Sequence, residues 1–148
     1  MKYAFFIITM LAVSQMACAP KTKKATGTAT VKKEIPLVGP KWMLKKINDD
    51  MQPYQPDGQV LWLQLLLGGT QFSAYGGCNN GGGKYTVEKN TIRLTEMIST
   101  KMYCEPNMKP ENAFFNKLQR ANRYELKGNI LALYYDKTFL LEFEGSEQ

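Results

Sequence analysis

The chain has 148 residues, 44% of them hydrophobic, and a formal net charge of +6, which suits one modest domain with a real core once the ends are set aside. It contains no histidine, which excludes imidazole-dependent serine or cysteine triads, histidine-ligated zinc and facial-triad iron sites. Its three cysteines are too few for a four-cysteine metal site, and no metal or other cofactor is expected.

Residues 1–17 run from Lys2 through an apolar stretch, Tyr3 to Val13, too short to span a bilayer, to small residues before Cys18. That is the layout of a secretory signal, so the chain is expected to be exported. Ser14-Gln15-Met16-Ala17-Cys18 resembles the lipobox of bacterial lipoproteins, with Gln15 where leucine is usual, and implies a mature chain that begins at lipidated Cys18. Ordinary cleavage after Ala17 is the alternative. Residues 18–40 are rich in lysine, threonine and alanine and have little to bury, so they are expected to form a tether; if flexible, its roughly 20 residues reach about 25 Å. Lys2 leaves with the signal and the tether carries five lysines against Glu34, which leaves residues 41–148 nearly neutral. No nucleic-acid partner is therefore expected, since that would need a basic patch on the domain itself. Lysines beside a lipid suit anionic headgroups, and they suit a merely soluble tether equally well.

The folded region, residues 41–148, begins with Lys41 to Ile47, where Trp42 and Leu44 alternate against Lys45 as in a half-buried strand. Asn48 to Gly58 is turn material, with two prolines and an Asp-Gly. Val60 to Leu67 is a strand-length apolar run on which Leu61, Leu63, Leu65 and Leu67 fall on one side and Val60, Trp62 and Leu66 on the other, interrupted only by Gln64. Such a run is either fully covered or leaves Trp62 and Leu66 open as a partner patch. Thr70 to Tyr75 enters a cluster of five glycines, Gly76, Gly77 and Gly81 to Gly83, where the backbone can turn at positive φ or approach another segment closely. Lys84 to Glu88 and Thr91 to Glu96 pair as a hairpin with Glu88, Lys89 and Asn90 at the turn, where Asn90 can tolerate left-handed geometry. Pro110 is placed at the first position of a helix to Arg120, with Phe114, Leu118 and Ala121 as its apolar stripe and Phe115 beside it. Tyr124 to Leu126, Ile130 to Tyr135 and Phe139 to Phe143 close the chain as three strands.

The glycine cluster offers no phosphate site: Gly83-Lys84 is followed by Tyr85 and by a strand, so no P-loop ending and no helix N-terminus is presented, and no nucleotide is expected. Most carboxylates, among them Glu88, Glu96, Glu105 and Glu111, read as solvated surface positions.

The stretch Gly77-Cys78-Asn79, then Gly83 and Tyr85, Asn90, Thr100 with Met102 and Cys104, Glu111 opening the helix, Leu118, Tyr124, Gly128, Leu131 and the last apolar strand resembles the META domain of HslJ-like bacterial envelope proteins. The likeness covers about Trp42 to Phe143, with Tyr103 where a small residue is usual and an extra glycine run after Asn80. It implies an α+β domain, a curved, mostly antiparallel sheet packed on one helix, often borne by lipoproteins and linked to heat-shock or drug stress. It implies no defined catalytic activity. The expected function is that of a non-enzymatic module, lipid-anchored in the cell envelope and most simply at the outer membrane, that binds or supports another envelope component. A thiol-dependent or hydrolytic enzyme using Cys78, and a small-ligand-binding module, are the alternatives. An exported chain meets an oxidising compartment, and lipidation of Cys18 leaves an even pair, so a disulfide between Cys78 and Cys104 is expected, with two buried free thiols as the alternative.

Overall fold

The computed structural model describes residues 34–48, 58–105 and 107–146, all within the unit Val31–Gln148. The expected signal sequence, Cys18, the first part of the tether and most of the loop after Asn48 lie outside these residues.

The element order is β1 (Lys41–Ile47), β2 (Trp62–Leu65), β3 (Gln71–Tyr75), β4 (Asn80–Glu88), β5 (Thr91–Ser99), α1 (Met108–Arg120), β6 (Arg123–Lys127), β7 (Ile130–Tyr135) and β8 (Thr138–Gly145). Each strand pairs antiparallel with the next, and β8 returns to β1. The product is one strongly curved antiparallel sheet that wraps round a core rather than an evenly closed cylinder, because β5 and β6 meet only where Thr91 stands opposite Arg123. The chain between those two strands forms α1, which packs on β5 and β8. Phe114 and Leu118 point from it into the core, and the Phe114 ring lies 6.3 Å from that of Phe143 on β8.

Local sequence explains the irregularities. In β1 the inward residues are Trp42, Leu44 and then Ile47, a step of three where a strand allows two, and a register shift against β8 between Leu44 and Lys46 absorbs the extra residue. The helix begins at Met108, earlier than Pro110 suggested, because the missing N–H of Pro110 falls among the first four, which have no intrahelical acceptor in any case. The first helical bond is the next one, from Glu111 N–H to Asn107 O at 3.0 Å.

Three expectations need correction. The tether does not run to Pro40: Ile35 is buried and its N–H donates to Gly128 O at 3.0 Å, while Leu37 and Val38 pack on the core and Leu37 O accepts the Trp42 indole N–H at 2.9 Å. The apolar Ile-Pro-Leu-Val run had been counted with the lysines around it. The hairpin turn takes its positive φ at Lys89 (53°), not at Asn90, whose carbonyl accepts from Tyr124 N–H at 2.9 Å. Gly81 to Gly83 form no turn; they are the first half of β4. A Cβ on Gly81 would stand 2.7 Å from the Phe115 ring, and one on Gly82 would stand 2.8 Å from Phe72 O, so the glycines let the strand pass close to both neighbours.

In β2 the odd residues Leu61, Leu63 and Leu65 are buried, while Trp62, Gln64 and Leu66 on the other side are half-buried and Leu67 is exposed. Lys41 Nζ lies 4.2 Å from the Trp62 ring centroid, and Gln64 Nε2 donates to Gly39 O at 2.7 Å. Trp62→Ala is thus expected to cost about 1 kcal/mol, the scale of a cation–π contact and partial burial, and not the loss typical of a core aromatic. Thermal unfolding checks this, and a drop of about 10 °C or more, roughly that of a 2 kcal/mol loss, would place Trp62 in the core instead.

Candidate functional site

The motif residues come together where the β3–β4 turn passes under the start of α1. Gly77 has φ of +108°, which favours glycine, and a Cβ on Gly76 would lie 2.6 Å from the Phe115 ring and 2.7 Å from Glu111 Cγ. The backbone can reach the helix only because these side chains are absent. Cys78 and Asn79 then face Glu111, which is 3% exposed. Its Oε2 accepts from Cys78 N–H at 3.0 Å and Asn79 N–H at 2.6 Å, and its Oε1 accepts from Asn79 Nδ2 at 2.6 Å. A buried carboxylate needs such donors in place of water, and its position in the first helical turn adds the favourable end of the helix dipole.

Asn79 carries the contact onward. Its Oδ1 accepts from Met102 N–H at 2.8 Å and from the Thr100 hydroxyl at 2.7 Å, and its Nδ2 also donates to Met102 O at 3.0 Å. The side-chain amide therefore pairs with Met102 as a strand residue would. A disulfide joins Cys78 to Cys104, Cα to Cα 6.0 Å, and Asn107 Nδ2 donates to Gly77 O at 3.4 Å. One turn, the chain after β5 and the start of α1 are locked into a single polar knot.

What the knot presents is less polar. Ile98 is 77% exposed, Tyr103 75% and Met102 55%. The Tyr103 hydroxyl donates to the Glu105 carboxylate, and this bond, with a lesser effect of burial, holds the phenol above its usual pKa. Two open hollows flank the segment. One, about 550 Å³, lies over Gly81 to Gly83 between Ile98 and the Lys84–Glu96 ion pair, whose atoms are 2.9 Å apart. The other, about 440 Å³, runs between residues 97–103 and α1, with Met97, Met102 and Tyr103 on one wall and Asn112, Asn116 and Gln119 on the other.

Of the residues singled out in the sequence, Gly77, Cys78, Asn79 and Cys104 meet in the knot. Trp62 and Leu66 take no part in its hydrogen bonds and sit half-buried on and after β2. Glu111 corrects the surface reading of its carboxylate; it is the acceptor around which the knot forms. Ile98 and Tyr103 were not foreseen as exposed.

The family model for the META domain matches residues 36–148. Among solved structures, the NMR structure of a protein from Burkholderia xenovorans is similar, with a TM-score of 0.63 at 23% identity over 95% of this chain and 100% of that one. A second NMR structure has a TM-score of 0.59 at 19% identity over 73% of this chain and 90% of that one. The crystal structure of a DUF4847 family protein from Bacteroides vulgatus has a TM-score of 0.54 at 15% identity over 76% of this chain and 96% of that one. At these identities the likeness is one of fold. No curated protein matched the sequence.

Proposed function

Because the chain belongs to the META-domain family, we propose that it is a non-catalytic binding module of the bacterial cell envelope, anchored by a lipid on Cys18 at the outer membrane, which engages another envelope component through residues Ile98 to Tyr103 under stress. One observation carries this reading: apart from the buried Oδ1 of Asn107, which has no partner, the knot's side-chain polar atoms are bound to one another, and three large side chains beside them, Ile98, Met102 and Tyr103, stand exposed among the polar residues 99–101. Groups that serve catalysis need an unspent lone pair or proton near a substrate, and exposed apolar patches mark interaction sites. The disulfide on Cys78 weighs against a thiol mechanism there, since the nucleophile would have to be a free thiolate. A small-ligand module is the second reading, favoured only by the hollow over the glycines of β4.

The test uses the full chain in intact cells, with a photo-crosslinking residue at position 98 or 103 and, as a control, at exposed Lys137. Discrete adducts are expected from positions 98 and 103 and not from 137. The Cys18→Ser variant is expected to move from the detergent to the aqueous phase and to lose the adducts. Equal adducts at all three positions would remove the binding surface, and aqueous partitioning of both forms would remove the anchor.

A further inference from the structure

Cys78 and Cys104 are bonded to each other, so the knot offers an oxidant no thiol. The sulfur that stands open beside it is a thioether. Among the described residues Met43, Met97 and Met108 are half-buried, and Met108 Sδ also accepts Cys104 N–H at 3.5 Å, whereas Met102 is exposed. It is flanked on the same segment by exposed Ile98 and Tyr103.

The backbone and the side chain of Met102 have separate duties. Its N–H donates to Asn79 Oδ1 at 2.8 Å and its carbonyl accepts from Asn79 Nδ2 at 3.0 Å, which ties the segment to the knot. Its side chain belongs neither to the core nor to the knot's bonds. A chemical change at Sδ therefore alters the surface and leaves the scaffold in place. Oxidation is the change to which an exposed thioether is open: the product sulfoxide is polar where the thioether was apolar and only a weak acceptor.

Resting on the reading of residues 98–103 as a binding surface, we propose that Met102 is an oxidation site that switches this surface off, with a hydroperoxide, most simply hydrogen peroxide, as the oxidant. The Sδ lone pair attacks one peroxide oxygen and the O–O bond breaks. Sulfur gains that oxygen and is oxidised by two electrons; the other oxygen leaves as hydroxide and becomes water with the proton that the first one loses. Methionine suits a contact surface because its flexible thioether fits irregular partners, and the sulfoxide spoils such contacts. A partner that covered Met102 would have to bury the new oxygen without a hydrogen bond. An oxidant thus ends the engagement that residues 98–103 make.

The experiment uses the full chain in intact cells, with a photo-crosslinking residue at position 98, before and after a pulse of hydrogen peroxide. Peptide mass spectrometry and thermal unfolding follow on the recovered protein. One added oxygen is expected at Met102 ahead of Met43, Met97 and Met108, with an unchanged melting temperature. The yield of adducts should fall about tenfold, the scale of one polar group buried without a partner. Each variant is judged by its own ratio of treated to untreated yield. That ratio should stay near one for Met102→Leu and fall as in the wild type when Met97→Leu is combined with Met108→Leu. If the leucine variant at 102 crosslinks too weakly for a ratio, the wild-type time course decides, since adduct loss must follow the Met102 sulfoxide and not that of another methionine. Met102 fully oxidised with undiminished adducts, oxidation no sooner than at the half-buried methionines, or an equal fall in Met102→Leu overturns the inference. An absence of adducts from untreated wild type removes the binding surface itself, and the switch with it.

Discussion

Glu111→Ala is expected to lower the unfolding free energy by about 3–5 kcal/mol, the scale of breaking a buried charged network. The substitution strands three donors at once, Cys78 N–H, Asn79 N–H and Asn79 Nδ2, in a place where Glu111 is almost wholly covered. Each buried group left without a partner costs about 1–3 kcal/mol. Glu111→Gln should cost less, because one amide oxygen can still accept the two backbone N–H groups. It should not be silent: the new NH₂ would face Asn79 Nδ2, and Asn79 cannot turn over without losing Thr100 and Met102 at its Oδ1. Urea titration of the oxidised protein gives both values. A loss under about 1 kcal/mol for the alanine variant would mean that the carboxylate is solvated, contrary to its burial.

Removing the disulfide by Cys78→Ser with Cys104→Ser should cost about 3–4 kcal/mol in the chain-entropy model, given the 26-residue separation of the two cysteines. The bridge closes a loop that contains all of β4 and β5, so its removal frees the longest hairpin of the unfolded chain. The same bridge shares the knot with Glu111, and the two losses should therefore not add: with the turn already loosened, the second change removes less than it does alone. A double-mutant cycle reads this directly. Exact additivity would show that the bridge and the carboxylate stabilise separate parts of the domain.

Most of the sheet was legible because its strands alternate. Lys41 to Ile47 and Ile130 to Tyr135 begin and end where period-two patterning places them, and Gly128 and Asp136 take the positive φ of the turns between the last strands. Glu111 was misread although a signal was present. It lies three, four and seven residues before Phe114, Phe115 and Leu118, hence on the apolar stripe of α1, and a carboxylate on that face must be buried with donors. The glycines of β4 left two readings open for a different reason. A run of glycine signals freedom at a turn and close approach within a strand equally well, and only the position of Phe115 and Phe72 O decides between them.

Native-state amide hydrogen exchange on the oxidised protein tests most directly whether the polar knot is a rigid scaffold. The amides of Cys78, Asn79 and Met102, bonded to Glu111 and Asn79, should exchange only with global unfolding, as slowly as those of the β4–β5 ladder. Fast exchange at Cys78, Asn79 and Met102 beside a protected β4–β5 ladder would contradict a fixed polar scaffold.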